Sequence, residues 1–241
     1  MSYLFEELDY RPTPIGALTL RRRRAVGSDE AIYEIKLGQE FLMSSQFTVS
    51  EVALARLGLA ACSGDELDVV VGGLGLGYTA QAVLRHRSLR ELVVVEYLEG
   101  VIDWHHRGLL PLGAEITGDA KCRLIHGDFF ARARSPAGFD PGQPGRRFDA
   151  ILVDIDHSPE VLLNERSRTF YQREGLRAVS AHLKPGGVFG LWSNDGPDAA
   201  FTARLSEAFG EARAEPVTFY NSLQSRECTQ TVYLAQLLAE A

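Results

Sequence analysis

Residues 69–77 read Val-Val-Val-Gly-Gly-Leu-Gly-Leu-Gly, and a helical pattern follows at once from Tyr78. An apolar strand that ends in a glycine-rich turn at a helix start lets the backbone of an α/β protein approach a nucleotide or nucleoside. A second apolar strand, Leu92-Val93-Val94-Val95, ends on Glu96. The acid falls about twenty residues past the glycines, where a carboxylate can bind ribose hydroxyls. Strand, turn and acid together fix a fold class and a ligand class. The glycine turn alone would not, because any tight strand–helix turn can use one.

From Leu67 onward the pattern alternates. Strands are expected at 67–72, 91–96, 121–126, 148–154 and 186–192, with helices in much of the space between them. That is the signature of a doubly wound, mostly parallel sheet with helices on both faces. The last strands, near 214–220 and 228–236, have no helix between them and predict a closing antiparallel hairpin, seven strands in all. Ahead of this region, Ala17–Arg24, Ala31–Leu37 and Glu40–Ser44 read as short strands separated by Gly27-Ser28 and Gly38. They predict a small N-terminal antiparallel β domain over residues 1–46. A linking helix over Thr48–Ala61 then opens a nucleoside-binding catalytic domain over 47–241. The arginine run Arg21–Arg24 reads as a solvated strand edge. Ser135–Arg147 is rich in Gly and Pro and reads as a surface excursion.

Composition narrows the function classes. The 241 residues carry a net charge of −7, which disfavours bulk nucleic-acid binding and suits small cationic ligands. No apolar run approaches a membrane span, and the start MSYLFEELDY is too acidic and polar for a signal peptide. Cys62, Cys122 and Cys228 are far apart with no CxxC, so buried thiols in a reduced cytoplasm are expected, with no disulfide frame and no metal.

Ligands of a doubly wound sheet bind beyond the carboxyl ends of its strands. The residues there are Gly73, Gly75 and Gly77, then Glu96, then His126-Gly127-Asp128, then Asp154-Ile155-Asp156-His157, then Trp192-Ser193-Asn194-Asp195. Asp128 could accept from an adenine amino group, or be a plain helix N-cap before Phe129. Asp156 could likewise cap a helix, and Glu96 could be a solvated loop acid. Acids after three successive strands, all at one end of a sheet, favour a site over scattered surface charge. His157 is the histidine best placed to touch a ligand. His105 and His106 sit in a helix pattern and are expected to face solvent. Tyr78 either lines the pocket or packs.

With these residues in place, the chain resembles the spermidine synthase family, aminopropyltransferases on the class I S-adenosylmethionine methyltransferase fold. The matching stretches are TPIGALTL, YEIKLGQEFLMSS, SEVALARLGL, GGLGLG, Val-Val-Val-Glu, His-Gly-Asp, FDAILVDIDHSPE, Thr169–Tyr171 and LKPGGVFGLW. The resemblance implies a donor whose methionine part lies over Gly73, Gly75 and Gly77, with ribose on Glu96 and adenine near Asp128. It implies Asp154 as the catalytic aspartate, and Asp156 and His157 in the loop over the acceptor amine. It also implies a homodimer joined through the N-terminal region. Two departures concern the amines. Leu76 stands where the family has an aspartate for the donor's amine. Around Ser45-Gln46 the family's Asp-Glu pair is missing, and of its diamine-holding acids only Glu51 remains; Gln39 or Gln46 stands near the family's glutamine.

The chemistry is consistent with this. Displacement at a sulfonium centre needs donor carbon and nucleophile in line. An alkylamine, with a pKa near about 10.4, must lose a proton before it attacks. A carboxylate at the reacting nitrogen can hold the ammonium and take that proton, a role expected of Asp154 with Asp156 as a second anionic contact. The leading expectation is aminopropyl transfer from decarboxylated S-adenosylmethionine to an amine such as putrescine. The alternatives are methyl transfer from S-adenosylmethionine, favoured by Leu76, and a nucleoside-binding protein without catalysis. A nicotinamide dehydrogenase is disfavoured because the run is GxGxG and no second domain follows.

Overall fold

The structure is a computed structural model and describes residues 5–25 and 29–238; the expected Gly27-Ser28 turn lies outside the described residues. Four strands, β1 (Phe5–Thr13), β2 (Gly16–Arg24), β3 (Ala31–Leu37) and β4 (Glu40–Ser44), form an antiparallel sheet in chain order. Sequence periodicity marks β2–β4 but not β1. FEELDYRPT is charged, leaves Phe5 and Tyr10 exposed and contains a proline, features that belong to an edge strand.

The arginine run corrects one expectation. β2 lies between β1 and β3, so Arg21–Arg24 is no sheet edge. Arg21 and Arg23, on one face at period two, donate to the two oxygens of buried Glu34 at 2.6 and 2.7 Å. Arg22 donates to Glu6 at 2.7 Å, and Arg24 pairs with Asp29.

Helix α1 (Val49–Ala60) leads to a seven-stranded sheet. Its strands are β5 (Leu67–Gly72), β6 (Leu89–Glu96), β7 (Cys122–His126), β8 (Phe148–Val153), β9 (Leu183–Ser193), β10 (Gly210–Asn221) and β11 (Arg226–Leu237), in the order β10-β11-β9-β8-β5-β6-β7. β5 to β9 pair in parallel, and β11 is antiparallel to β9 and to β10. Val69–Val71, Leu92–Val95 and Ala150–Val153 are all buried, as strands covered on both faces must be. One core joins α1 to α2 (Tyr78–Leu84), α3 (Glu99–His106) and α4 (Gly113–Gly118). The other, on the opposite face, joins α5 (Phe129–Arg134), α6 (Arg173–Ser180) and α7 (Ala199–Phe209). The chain winds from β5 to β7 in one direction and then resumes at β8 on the other side of β5. The carboxyl ends of β5 and β8 are therefore the topological switch point, where such sheets bind ligands.

Two further features bear on the site. β9 pairs with β11 over Thr231–Gln236, while the β10–β11 ladder continues to Asn221↔Arg226. The far half of the hairpin thus passes the sheet and meets the start of α1, where Phe219 and Phe47 lie with ring centroids 5.7 Å apart. The Gly/Pro-rich segment 135–147 is not a free excursion. Its Phe139 and Asp140 are buried, and Asp140 accepts from Arg123 and Arg146 at the amino ends of the strands. Those arginines, Arg123 first, hold the Asp140 carboxyl far below the usual range. Cys62, Cys122 and Cys228 are unpaired, and burial pushes the first two thiols up to about 12. Among the described residues no helix is long and apolar enough to cross a membrane.

Candidate active site

The turn after β5 is built on backbone that only glycine tolerates. Gly73 has φ +91°, and a Cβ there would lie 2.1 Å from the Asp154 carbonyl oxygen. Gly75 has φ +48°, and its Cβ would meet Met43 Sδ at 2.3 Å. The turn is therefore pressed between the end of β8 and the N-terminal sheet. Gly73 N–H donates to Val95 O at 2.9 Å, and Asp154 N–H to Gly72 O at 2.8 Å, so the three strand ends are tied together. Gly77 starts α2 and does not line the cavity that the other two face.

That cavity, of about 250 Å³, opens at the switch point. Its apolar wall comes from Ile35, Leu37, Leu42 and Met43 of the small sheet. Gly73, Gly75, Tyr78, Glu96, Asp128, Asp154, Asp156, His157 and Glu51 all line it, bringing nine candidates from separate parts of the sequence into one space. Gln39 and Gln46 do not line it. Gln46 instead accepts from Arg23 at 2.9 Å and donates to Ser222 at 3.2 Å.

Each acid has a distinct environment. Glu96 is buried, and its two oxygens accept from Leu74 N–H at 2.8 Å and Leu98 N–H at 2.7 Å. Burial raises its pKa against those backbone bonds. Asp128 caps α5 by accepting from Ala131 N–H at 3.0 Å, and it also borders the cavity. Asp156 is buried and its oxygens are engaged by Leu163 N–H at 2.7 Å, Ser167 Oγ at 2.9 Å and Tyr171 Oη at 2.7 Å. It knits the following loop together, and burial raises its pKa. His157 anchors that loop through its carbonyl, which accepts from Asn194 N–H at 2.7 Å. Its ring nitrogen is 4.0 Å from Glu40.

Asp154 differs from these. Among the described residues its carboxylate has one side-chain donor, Thr79 Oγ1 at 2.7 Å, and no cation in ion-pair contact. Burial raises its pKa. Glu51, in the first turn of α1, is pushed up by burial and then by the Asp154 charge. Two neighbouring acids that cannot both ionise cheaply form a site for a cation or for an exchangeable proton.

Three residues that the sequence reading did not assign belong to this site. His105 corrects an expectation: it is 1 % exposed, and its Nε2 is 2.9 Å from Gly75 O, so α3 holds the glycine turn from behind. Burial pushes its pKa down to about 4, leaving a neutral ring that donates to that carbonyl. His106, one residue on, is exposed as expected. Met43 Sδ lies 3.0 Å from Leu76 N, and Leu76 is buried, so an apolar pair fills the place beside the turn. Trp192 lines the cavity at the end of β9, and its indole N–H is buried with no partner among the described residues.

Residues 48–196 match the spermine/spermidine synthase domain. Polyamine aminopropyltransferase 2 of Pseudomonas aeruginosa is 26% identical over 164 residues, 66% of this chain and 44% of that protein. Putrescine N-methyltransferase 1 of Nicotiana tabacum is 29% identical over 121 residues, 50% of this chain and 28% of that protein. This chain thus spans less than half the length of these relatives. The crystal structure of spermidine synthase from Thermotoga maritima superposes with a TM-score of 0.72 at 16% identity, covering 97% of this chain and 73% of that one, which establishes the shared fold. A domain match over more than half of its length makes the chain a member of the spermine/spermidine synthase family.

Proposed function

We propose that this protein transfers an aminopropyl group from decarboxylated S-adenosylmethionine to an amine of the putrescine class. The observation that carries the reading is Asp154: a recessed carboxylate without a cationic partner among the described residues, in contact across Gly73 with the turn expected to cradle the donor. The donor's ribose is assigned to Glu96 and its adenine to the Asp128 end of the cavity. The acceptor's ammonium takes the place beside Asp154 and Glu51, with Tyr78 and His157 as neighbours. Asp154, made more basic by burial, accepts the amine proton. The freed lone pair then attacks the donor carbon in line. The new N–C bond forms as the C–S bond breaks, its electron pair passes to sulfur, and a neutral thioether leaves. Asp156 supports this by fixing the loop that carries His157, a positioning role fitting its three hydrogen bonds better than direct contact with the amine.

A second reading, methyl transfer from S-adenosylmethionine, has one observation in its favour: Leu76 and Met43 offer the donor's amine no carboxylate. Calorimetric titration with each donor separates the two. Tighter binding of the decarboxylated donor, with turnover on putrescine, supports aminopropyl transfer. Tighter binding of the intact donor supports methyl transfer, and binding without turnover on any amine leaves a nucleoside-binding protein. The unpaired cysteines fit a reducing, cytoplasmic compartment. A homodimer is carried over from the family and is checked by light scattering.

A further inference from the structure

Ser50 is buried, and its hydroxyl has two close oxygen neighbours: Glu51 Oε2 at 2.8 Å and Gln230 Oε1 at 2.5 Å. A hydroxyl carries one proton. Gln230 turns its Oε1 toward Ser50 because its Nε2 donates to Asn194 Oδ1 at 2.9 Å. An amide oxygen has no proton to give, so the short contact to Gln230 uses the Ser50 proton. The contact to Glu51 then requires a proton from Glu51 itself. With the Gln230 and Asn194 amides in these orientations, hydrogen-bond polarity runs from Glu51 through Ser50 and Gln230 to Asn194, the polarity that a neutral Glu51 completes.

We propose that Gln230, on the C-terminal hairpin and far from α1 in sequence, is a positioning residue that fixes Glu51 in its neutral form in the resting protein. The inference rests on the reading of Glu51 and Asp154 as the acceptor end of the cavity. Its consequence is a division of labour. Asp154 carries the negative charge that receives the ammonium, and Glu51 gives up its proton when the cation arrives. Rotating both amides reverses the chain: Asn194 donates to Gln230, Gln230 to Ser50, and Ser50 to an ionised Glu51. The first turn of α1 favours that charged form. A hydroxyl free to donate pulls the Glu51 carboxyl down; shared with Gln230, it does so less, and burial and the Asp154 charge prevail.

The groups around Glu51 agree with a neutral resting state. Its neighbours with titratable groups are the Tyr78 phenol from α2 and the Asp154 carboxylate at the end of β8. β9 and β11 bring the uncharged Trp192, Asn194 and Gln230. On β10, Arg213 and Glu215 pair with each other. Among the described residues no cation contributes to the Glu51 carboxyl; burial and Asp154 raise its pKa against the lowering effect of the Ser50 contact.

Infrared titration of the purified full chain tests this without donor or acceptor. The protonated-carboxyl band that disappears in Glu51→Gln is followed against pH. Gln230→Leu, which frees the Ser50 proton for Glu51, lowers the midpoint by about one pH unit, a tenfold change in the ionisation constant. The shift vanishes in Ser50→Ala/Gln230→Leu, where no hydroxyl remains to donate. If Gln230→Leu does not fold, Asn194→Ala, at an exposed residue, frees the Gln230 amide and shifts the midpoint in the same direction. An unchanged midpoint in the folded variant overturns the proposal, as does a shift that persists without the Ser50 hydroxyl. Putrescine added to the unsubstituted protein removes the band near neutral pH. A band that survives putrescine refutes the reading of the acceptor end while leaving the role of Gln230 standing.

Discussion

Asp154→Asn is expected to lower activity and raise stability together. Asn is nearly isosteric and retains an oxygen to accept from Thr79, now 2.7 Å from the carboxylate. What it loses is the charge. That charge has one hydrogen bond where a carboxylate can take about four, and it repels an ionised Glu51. Relieving an uncompensated recessed charge of this kind stabilises a fold by about 1–3 kcal/mol. For a chain of this size, that is roughly 2–12 °C in Tm. The pH dependence has a definite sign. Asp154 has a higher pKa folded than unfolded, so the folded chain binds the proton more tightly and the wild type loses stability as pH rises from the ordinary aspartate range through the raised folded value. The variant's advantage is absent at acid pH, grows toward neutrality and then levels off. Turnover falls about 10²–10⁴-fold, because the amine loses both its anchor and its proton acceptor, while the donor's affinity changes little. Thermal scans across pH, with steady-state kinetics on the same samples, read both quantities. A variant less stable than wild type at neutral pH, or one that turns over normally, refutes the assignment of Asp154 as an uncompensated catalytic charge.

Two other substitutions probe the frame around it. Gly73→Ala places a methyl at positive φ, 2.1 Å from a backbone oxygen that cannot rotate away; a loss of about 3 kcal/mol or more and a large fall in turnover are expected, and a Tm within error of wild type would contradict the packing of the turn on β8. His105→Gln keeps a donor for Gly75 O but cannot take up the buried proton. Because the histidine pKa falls from the ordinary 6.5 to about 4 on folding, wild-type stability declines by about 3 kcal/mol as pH drops through that window, and chemical denaturation should show a correspondingly shallower acid limb in the variant.

Much of the architecture is legible because parallel strands are buried on both faces. Val69–Val71, Leu92–Val95 and Ala150–Val153 show as unbroken apolar runs, and the residues that end them are the ones at the switch point. What the sequence hides depends on register and on distant partners. The Arg21–Arg24 run looks like a solvated edge until Glu34 and Glu6 are brought opposite it from neighbouring strands. His105 follows a helical period that points to solvent, yet the glycine turn covers that side of α3. The glycines and prolines of 135–147 signal a loop correctly but say nothing of Asp140 closing onto Arg123 and Arg146. Ser50 and Gln230 meet across 180 positions of sequence, and no local pattern reports such a pair.

The two ends of the main sheet treat charge in opposite ways, and the contrast is itself an argument for where the cation binds. At the amino ends of the strands, Asp68, Glu91, Asp140 and Asp149 are matched by Arg90, Arg123, Arg146 and Lys184 in a connected set of ion pairs. Every acid there has a base, as folding alone requires of recessed charge. At the carboxyl ends, Glu96 and Asp156 are satisfied by backbone and hydroxyl donors, and Asp154 and Glu51 meet no cation among the described residues. A fold that pairs its acids with bases at one end has no structural need to leave Asp154 and Glu51 without a base at the other. The deficit of positive charge lies where the glycine turn, the switch point and the cavity coincide, and the amine proposed as substrate carries the charge that would complete it.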